Sequence, residues 1–217
     1  MKISCTQSAL QNSVNIVSKA VPGKTTMPIL ECILLNTTDG SLKLTASNMD
    51  LGIESMVSES SVEEEGYVAL DAKLFSDVVR NLPPETVFIE SDEQFHTVIR
   101  CGTAEYKIIG KSGQDFPKLP ILKIDEPVEI SQLTFKNIIT QTSFAAAVNE
   151  ANKMMTGVYM EIHGNFLKMV ALDGHRISVR TIQLKQPYPD HSVIIPGKSL
   201  NEINKNLSSE INDKAYI

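Results

Sequence analysis

Apolar positions along this chain fall into two rhythms, and the rhythms come in the same order twice. Leu10, Val14, Val17 and Val21 recur every three to four residues and predict an amphipathic helix near the N-terminus. Its counterpart runs from Leu133 to Ala146. Between them, "ILLNTTDGSLKLTAS" (33–47) places Asp39-Gly40 between two β-rich runs, a hairpin signal. "LGIESMV" (51–57) and "YVALD" (67–71) read as further strands on either side of the acidic loop "SESSVEEEG" (58–66). A second helix, over about 73–82, gathers Leu74, Phe75, Val78, Val79 and Leu82 on one face, with Lys73 and Arg80 opposite. Its counterpart sets Leu200, Ile203 and Leu207 against Lys198 and Lys205. The predicted class is α+β, with two helices covering one side of an antiparallel sheet in each copy.

The two copies are related by a constant offset of 125 residues. "VALDAKLFSDVVRNLP" (68–83) falls on "VIIPGKSLNEINKNLS" (193–208), "GSLKLTAS" (40–47) on "NFLKMVAL" (165–172), and "QSALQNSVNIVS" (7–18) on "QLTFKNIITQTS" (132–143). Three matches at one offset indicate an internal repeat. The first domain is expected over 1–125, with a Pro-rich linker from about 116, and the second over 126–217. On this offset Ile217 aligns with Asp92. The second copy then has no counterpart of "EQFHTVIRCGTAEYKIIG" (93–110), so the second domain is expected to be incomplete at its C-terminal end and the chain to be a truncated form.

Composition narrows the class. With 42% apolar and 21% charged residues, the 217-residue chain has enough for real cores. The three cysteines, Cys5, Cys32 and Cys101, have no paired spacing and read as reduced thiols. No apolar run is long enough to span a bilayer, and "MKISCTQSALQNS" has no signal-peptide core. These features point to a cytoplasmic protein. The net charge of −6 disfavours a general electrostatic nucleic-acid binder. The distribution of charge changes that picture. Residues 1–30 and 130–149 contain no Asp or Glu, and the acids gather in 54–65 and 85–93. Helices cleared of acids can present a mildly positive surface that holds phosphates without reading bases.

"ALDGHRISV" (171–179) is the densest group of chemistry-bearing residues. An Asp173-His175 enzyme would need a nucleophile, and none is nominated. His96, His163, His175 and His191 lack metal-ligand spacing, and the cysteines form no CxxC. Neither a catalytic residue nor a metal or other cofactor is assigned. The remaining readings are a plain Asp-Gly turn, or a turn that fixes a binding surface.

"MPIL" (27–30), "DFPKLP" (115–120), "ALDGHRISV" (171–179) and "HSVIIPGKSL" (191–200) together resemble the bacterial DNA polymerase III sliding-clamp (beta subunit) family, over the whole chain. The resemblance implies a non-catalytic processivity factor with repeated clamp domains, sheets outside and helices inside, closed head to tail as a homodimer around duplex DNA. It implies DNA contacts at Lys24, Lys73, Asn149, Asn152, Lys153, Lys198 and Lys205. Gly197 and Asn152 stand where the family often has a basic residue. It also implies a cleft for short peptides of DNA polymerase, clamp loader and repair proteins, with candidates Met155, Leu172, Gly174, His175, Arg176 and Ile177. Leu172 stands where a smaller hydroxyl residue is common. The ring interface of the first domain would use Tyr106, Ile108 and Ile109, and this chain alone is expected to be monomeric. The alternatives are a peptide-binding adaptor that does not encircle DNA, and an Asp-His enzyme.

Overall fold

The computed structural model describes residues 1–37, 40–120, 126–149, 152–210 and 212–217. Asp39 of the expected hairpin and residues 121–125 of the expected linker lie outside the described residues. The chain divides into two compact units, Met1–Pro120 and Ile121–Ile217.

In the first unit, β1 (Lys2–Thr6) runs directly into α1 (Gln7–Val17). The Thr6 hydroxyl accepts a hydrogen bond from the Ala9 amide, which caps the helix start. Leu10, Val14 and Val17 are buried as their spacing predicts. Val21 lies beyond the helix on extended backbone but still packs on the core. There follow β2 (Cys32–Asn36), β3 (Lys43–Ser47), β4 (Gly52–Met56), β5 (Ser61–Glu64), β6 (Tyr67–Asp71), α2 (Ala72–Asn81), β7 (Thr86–Ser91), β8 (His96–Cys101), β9 (Ala104–Ile109) and β10 (Lys111–Ser112). The strands make two antiparallel sheets, β5-β1-β7-β8-β9 and β10-β6-β2-β3-β4. Leu10 and Val14 of α1, Phe75 and Val79 of α2, and Ile33, Leu44, Leu70, Ile89 and Ile99 of the sheets share one core. Leu74 departs from the expected face and is 48% exposed. An α-helix turns about 100° per residue, so Leu74 falls outside the stripe centred on Phe75. Cys5, Cys32 and Cys101 are free and buried, and burial pushes the Cys5 thiol up to about 12.

The second unit repeats this plan as β11 (Glu129–Ser131), α3 (Gln132–Ser143), β12 (Gly157–Leu172), β13 (Ile177–Pro196), α4 (Gly197–Asn206) and β14 (Lys214–Tyr216). The strand registers preserve the 125-residue offset. Cys32↔Asp71 becomes Gly157↔Pro196, and Ser47↔Gly52 becomes Leu172↔Ile177. The 16 residues of β12 do not form one straight strand. Lys168 Nζ lies 3.0 Å from Glu161 Oε2. Seven extended residues would separate these positions by about 23 Å, so β12 doubles back between them. Gly164 has φ +55° and the register shifts on either side of it, which places the turn there. The Lys168–Glu161 bridge therefore stands where β2 and β3 pair as Asn36↔Lys43.

After α4 the offset slips to 128. Thr6 pairs with Thr86, whereas Ser131 pairs with Lys214. Likewise the Gln7 amide donates to the Glu85 carbonyl, and that of Gln132 to Asp213. Ile217 exchanges both backbone hydrogen bonds with Val128, the position that Ile89 holds opposite Ile3. The alignment of Ile217 with Asp92 is thus corrected to Ile89. The cause is a connection three residues longer after α4 than after α2, which no apolar periodicity records.

Candidate functional site

The stretch around Asp173 folds into a hydrogen-bonded corner between β12 and β13. Asp173 Oδ1 accepts the His175 and Arg176 amides at 3.1 Å each, and Oδ2 accepts Arg176 Nε at 2.8 Å. The Asp173 amide donates to the Arg176 carbonyl at 3.2 Å. Gly174, at φ +84°, supplies the left-handed residue that this turn requires. The His175 amide, followed by the contacts from Arg176, holds the Asp173 carboxyl below its ordinary range. That carboxylate is committed to backbone and guanidinium. The His175 ring makes no hydrogen bond among the described residues, so no Asp-His dyad forms.

Several expected cleft residues meet at this corner. The Met155 methyl lies 3.9 Å from where a Cβ on Gly174 would stand. Leu172 and Ile177 are ladder partners beside the turn. The Arg176 guanidinium sits over the Phe144 ring, 5.7 Å from its centroid, and its two terminal nitrogens make no hydrogen bond among the described residues. Phe144 is 59% exposed and was missed from the sequence, where it falls inside the helix expected over Leu133 to Ala146, whereas α3 ends at Ser143. Ile177 and Val179 point outward, at 65% and 52% exposed. Met169 and Ala171 fill the core instead. Strand alternation then turns Val170 and Leu172 outward, together with their partners Val179 and Ile177.

The helices form one pair per unit, α1 with α2 and α3 with α4. Together they carry five basic side chains (Lys73, Arg80, Lys136, Lys198, Lys205) and two acidic ones (Asp77, Glu202), a net +3 within a chain of −6. Both acids are neutralised locally. Arg80 bridges Asp77 at 3.3 Å and Lys205 bridges Glu202 at 2.6 Å, the same i,i+3 pair at the 125-residue offset. Lys73 and Lys198 are exposed and make no ion pair among the described residues. Lys24, Asn149 and Lys153 are also exposed. Asn152 is not an idle polar residue, because its side chain accepts the Met154 amide and starts the short turn Lys153–Thr156. Gly197 is buried at the start of α4, and a Cβ there would stand 2.9 Å from the Thr156 carbonyl oxygen. The backbone thus leaves no room there for the basic residue that the family often has at this position.

β9 ends its sheet in the first unit, with Tyr106 and Ile109 exposed at 36% and 77%. Ile108 is 4% exposed and belongs to the core, so only its backbone is offered at the edge. Among the described residues, no three His, Cys, Asp or Glu side chains cluster as metal ligands, and no helix is long and apolar enough to cross a membrane.

Comparison with known proteins gives the same picture along both units. The family model described as DNA polymerase III beta subunit, N-terminal domain, matches residues 1–120, and the corresponding central-domain model matches 129–215. The "Beta sliding clamp" of Staphylococcus epidermidis is 34% identical over 209 residues, covering 93% of this chain and 55% of that protein. The Bacillus subtilis protein of the same name is 35% identical over 215 residues, covering 95% and 57%. A crystal structure from Eubacterium rectale, ascribed to a DNA polymerase III beta subunit, is 48% identical with TM-score 0.97, covering all of this chain and 59% of that one. The chain therefore spans little more than half the length of the relatives it matches.

Proposed function

We propose that this chain, which belongs to the DNA polymerase III beta-subunit family, supplies two clamp domains, 1–125 and 126–217, of a sliding clamp that tethers a polymerase to duplex DNA without doing chemistry. The observation that carries the reading is the helix charge, a net +3 in a chain of −6, with its ion pair repeated at one offset. A tether held by topology needs only loose, sequence-independent phosphate contacts. Lys24, Lys73, Lys153, Lys198 and Lys205 supply charge for them, and Asn149 and Asn152 supply polar contacts. The Asp173 corner receives short partner peptides: Met155, Leu172 and Ile177 take apolar anchors, Gly174 lets the backbone approach, and His175 and Arg176 edge the site. Arg176 keeps its terminal nitrogens for a carbonyl or carboxylate of the peptide. Tyr106 and Ile109 on β9, with the backbone of Ile108, form one side of a head-to-tail ring contact. The protein is cytoplasmic.

Duplex-binding titrations at graded salt test this reading. Equal affinity for unrelated sequences, falling with salt, is expected. Base-specific binding would contradict it. A protein that bound partner peptides but no duplex at any salt would favour the plain adaptor.

A further inference from the structure

The β5-β1-β7-β8-β9 sheet of the first unit carries a row of charges on the face opposite its core. From strand to strand Glu63, Lys2, Glu90, Arg100, Glu105 and Lys107 alternate in sign, each bridging the next at 2.9–3.7 Å. Exposed pairs of this kind add little stability. They do use up the charge of the face, because three acids balance three bases. Arg100 is held on both sides, with Nε donating to Glu105 and Nη1 to Glu90.

Glu85, just before β7, stands outside this row. It is exposed, and its carboxylate makes no hydrogen bond or ion pair among the described residues. The carboxylate rests against the β8–β9 turn, where a Cβ on Gly102 would stand 2.9 Å from Glu85 Oε2. Phe88 opposes Arg100 across β7 and β8 and is 45% exposed. Glu85, Thr86, Phe88, Arg100, Cys101 and Gly102 line an open hollow of about 680 Å³. The acid and the aromatic recur together in the second unit. The Gln7 amide donates to the Glu85 carbonyl as that of Gln132 does to Asp213, and Ser4↔Phe88 returns as Glu129↔Tyr216. A carboxylate three residues ahead of an exposed aromatic is thus kept, while Thr86 between them becomes Lys214.

We propose that the hollow beside Glu85 and Phe88 is a site for a guanidinium group, presented by an arginine side chain of a partner protein. The row of bridges is neutral as a set, so Glu85 is the charge left without a counter-ion, and the ligand is a cation. A metal ion would remain hydrated and gain nothing from a ring. A guanidinium is planar and weakly hydrated, stacks on an aromatic face and meets a carboxylate with two parallel donors. Phe88 supplies the ring and Glu85 the carboxylate, and Gly102, having no side chain, leaves that carboxylate open. The site shares no residue with the Asp173 corner or with the helix lysines, and it stands whether or not the roles proposed for those hold.

The probe is N-acetyl-arginine amide, titrated into the protein at low salt and followed by the Gly102 amide and Phe88 ring resonances. Both should shift saturably. N-acetyl-citrulline amide, which keeps the shape without the charge, should bind about threefold more weakly or worse. Glu85→Gln, at an exposed position, should weaken the arginine probe by about threefold or more. Phe88→Ala should weaken it by about the same factor, and Phe88→Tyr should retain binding because the ring is kept. The circular dichroism spectrum should be unchanged in all three variants. The proposal is overturned if the shifts do not saturate, if citrulline matches arginine, or if Glu85→Gln binds as the wild type does. Binding of free arginine but not of the blocked form would mark a small-molecule site and would equally overturn it.

Discussion

Met49 and Gly174 occupy the same backbone position in the two units, 125 residues apart, at φ 74° and 84°. The two turns share their main hydrogen bonds. Asn48 Oδ1 accepts the Asp50 and Leu51 amides at 3.0 and 2.8 Å, as Asp173 Oδ1 accepts those of His175 and Arg176. A side chain at positive φ costs about 1–2 kcal/mol, and glycine avoids that cost. Met49 is 65% exposed, so little burial offsets the strain. Met49→Gly should stabilise the first unit by about 1 kcal/mol, and Gly174→Ala should destabilise the second by a similar amount. Urea unfolding followed by probes placed in each unit measures both. A loss of stability in Met49→Gly would contradict this account of the turn.

The corner should respond to acid. The folded pKa of Asp173 lies below its unfolded value, with the His175 amide as the largest cause. Its contribution is present above the unfolded carboxylate pKa of about 4 and is lost as pH falls through the folded one. The His175 and Arg176 amide resonances should therefore hold steady from neutral pH down to about 4 and move only below it. A midpoint above that value would mean that the carboxylate is not bound as described.

Charge on the second helices separates into two kinds. Arg80 and Lys205 are paired, whereas Lys73 and Lys198 make no ion pair among the described residues. Reversing Lys73 and Lys198 together to Glu should reduce the salt slope of duplex binding by about 2, one phosphate contact for each lysine. Neutralising the acids, with Asp77→Asn and Glu202→Gln, should strengthen binding by freeing Arg80 and Lys205. An unchanged slope in the double reversal would remove these helices from the DNA surface.

Helices and repeat were legible in the sequence because burial on one face leaves a period, and the period of α1 and α2 returns in α3 and α4. The β12 turn at Gly164 could not be read from that pattern, nor could the slip after α4. Loop length leaves no apolar trace. Ile177 and Val179 are apolar, and hydrophobicity alone does not tell that they face outward. Their exposure follows from register with Met169 and Ala171, which depends on the partner strand. Phe144 escaped for a similar reason: it fell inside the expected helix, and its role shows only when Arg176 is seen above it beyond the end of α3.

The central claim is that the Asp173 corner binds peptide and does no chemistry. Its most direct measurement is polarisation of a labelled segment of the polymerase's own clamp-contacting region, titrated into the wild-type protein and the variants Met155→Lys, Arg176→Ala and His175→Ala. Met155→Lys puts an unpaired charge into the apolar floor and should weaken binding at least tenfold, about 1.4 kcal/mol. Arg176→Ala should weaken it comparably and His175→Ala less, with folding intact in all three. Equal affinity across the wild type and the three variants would contradict the claim and leave the corner as a turn alone.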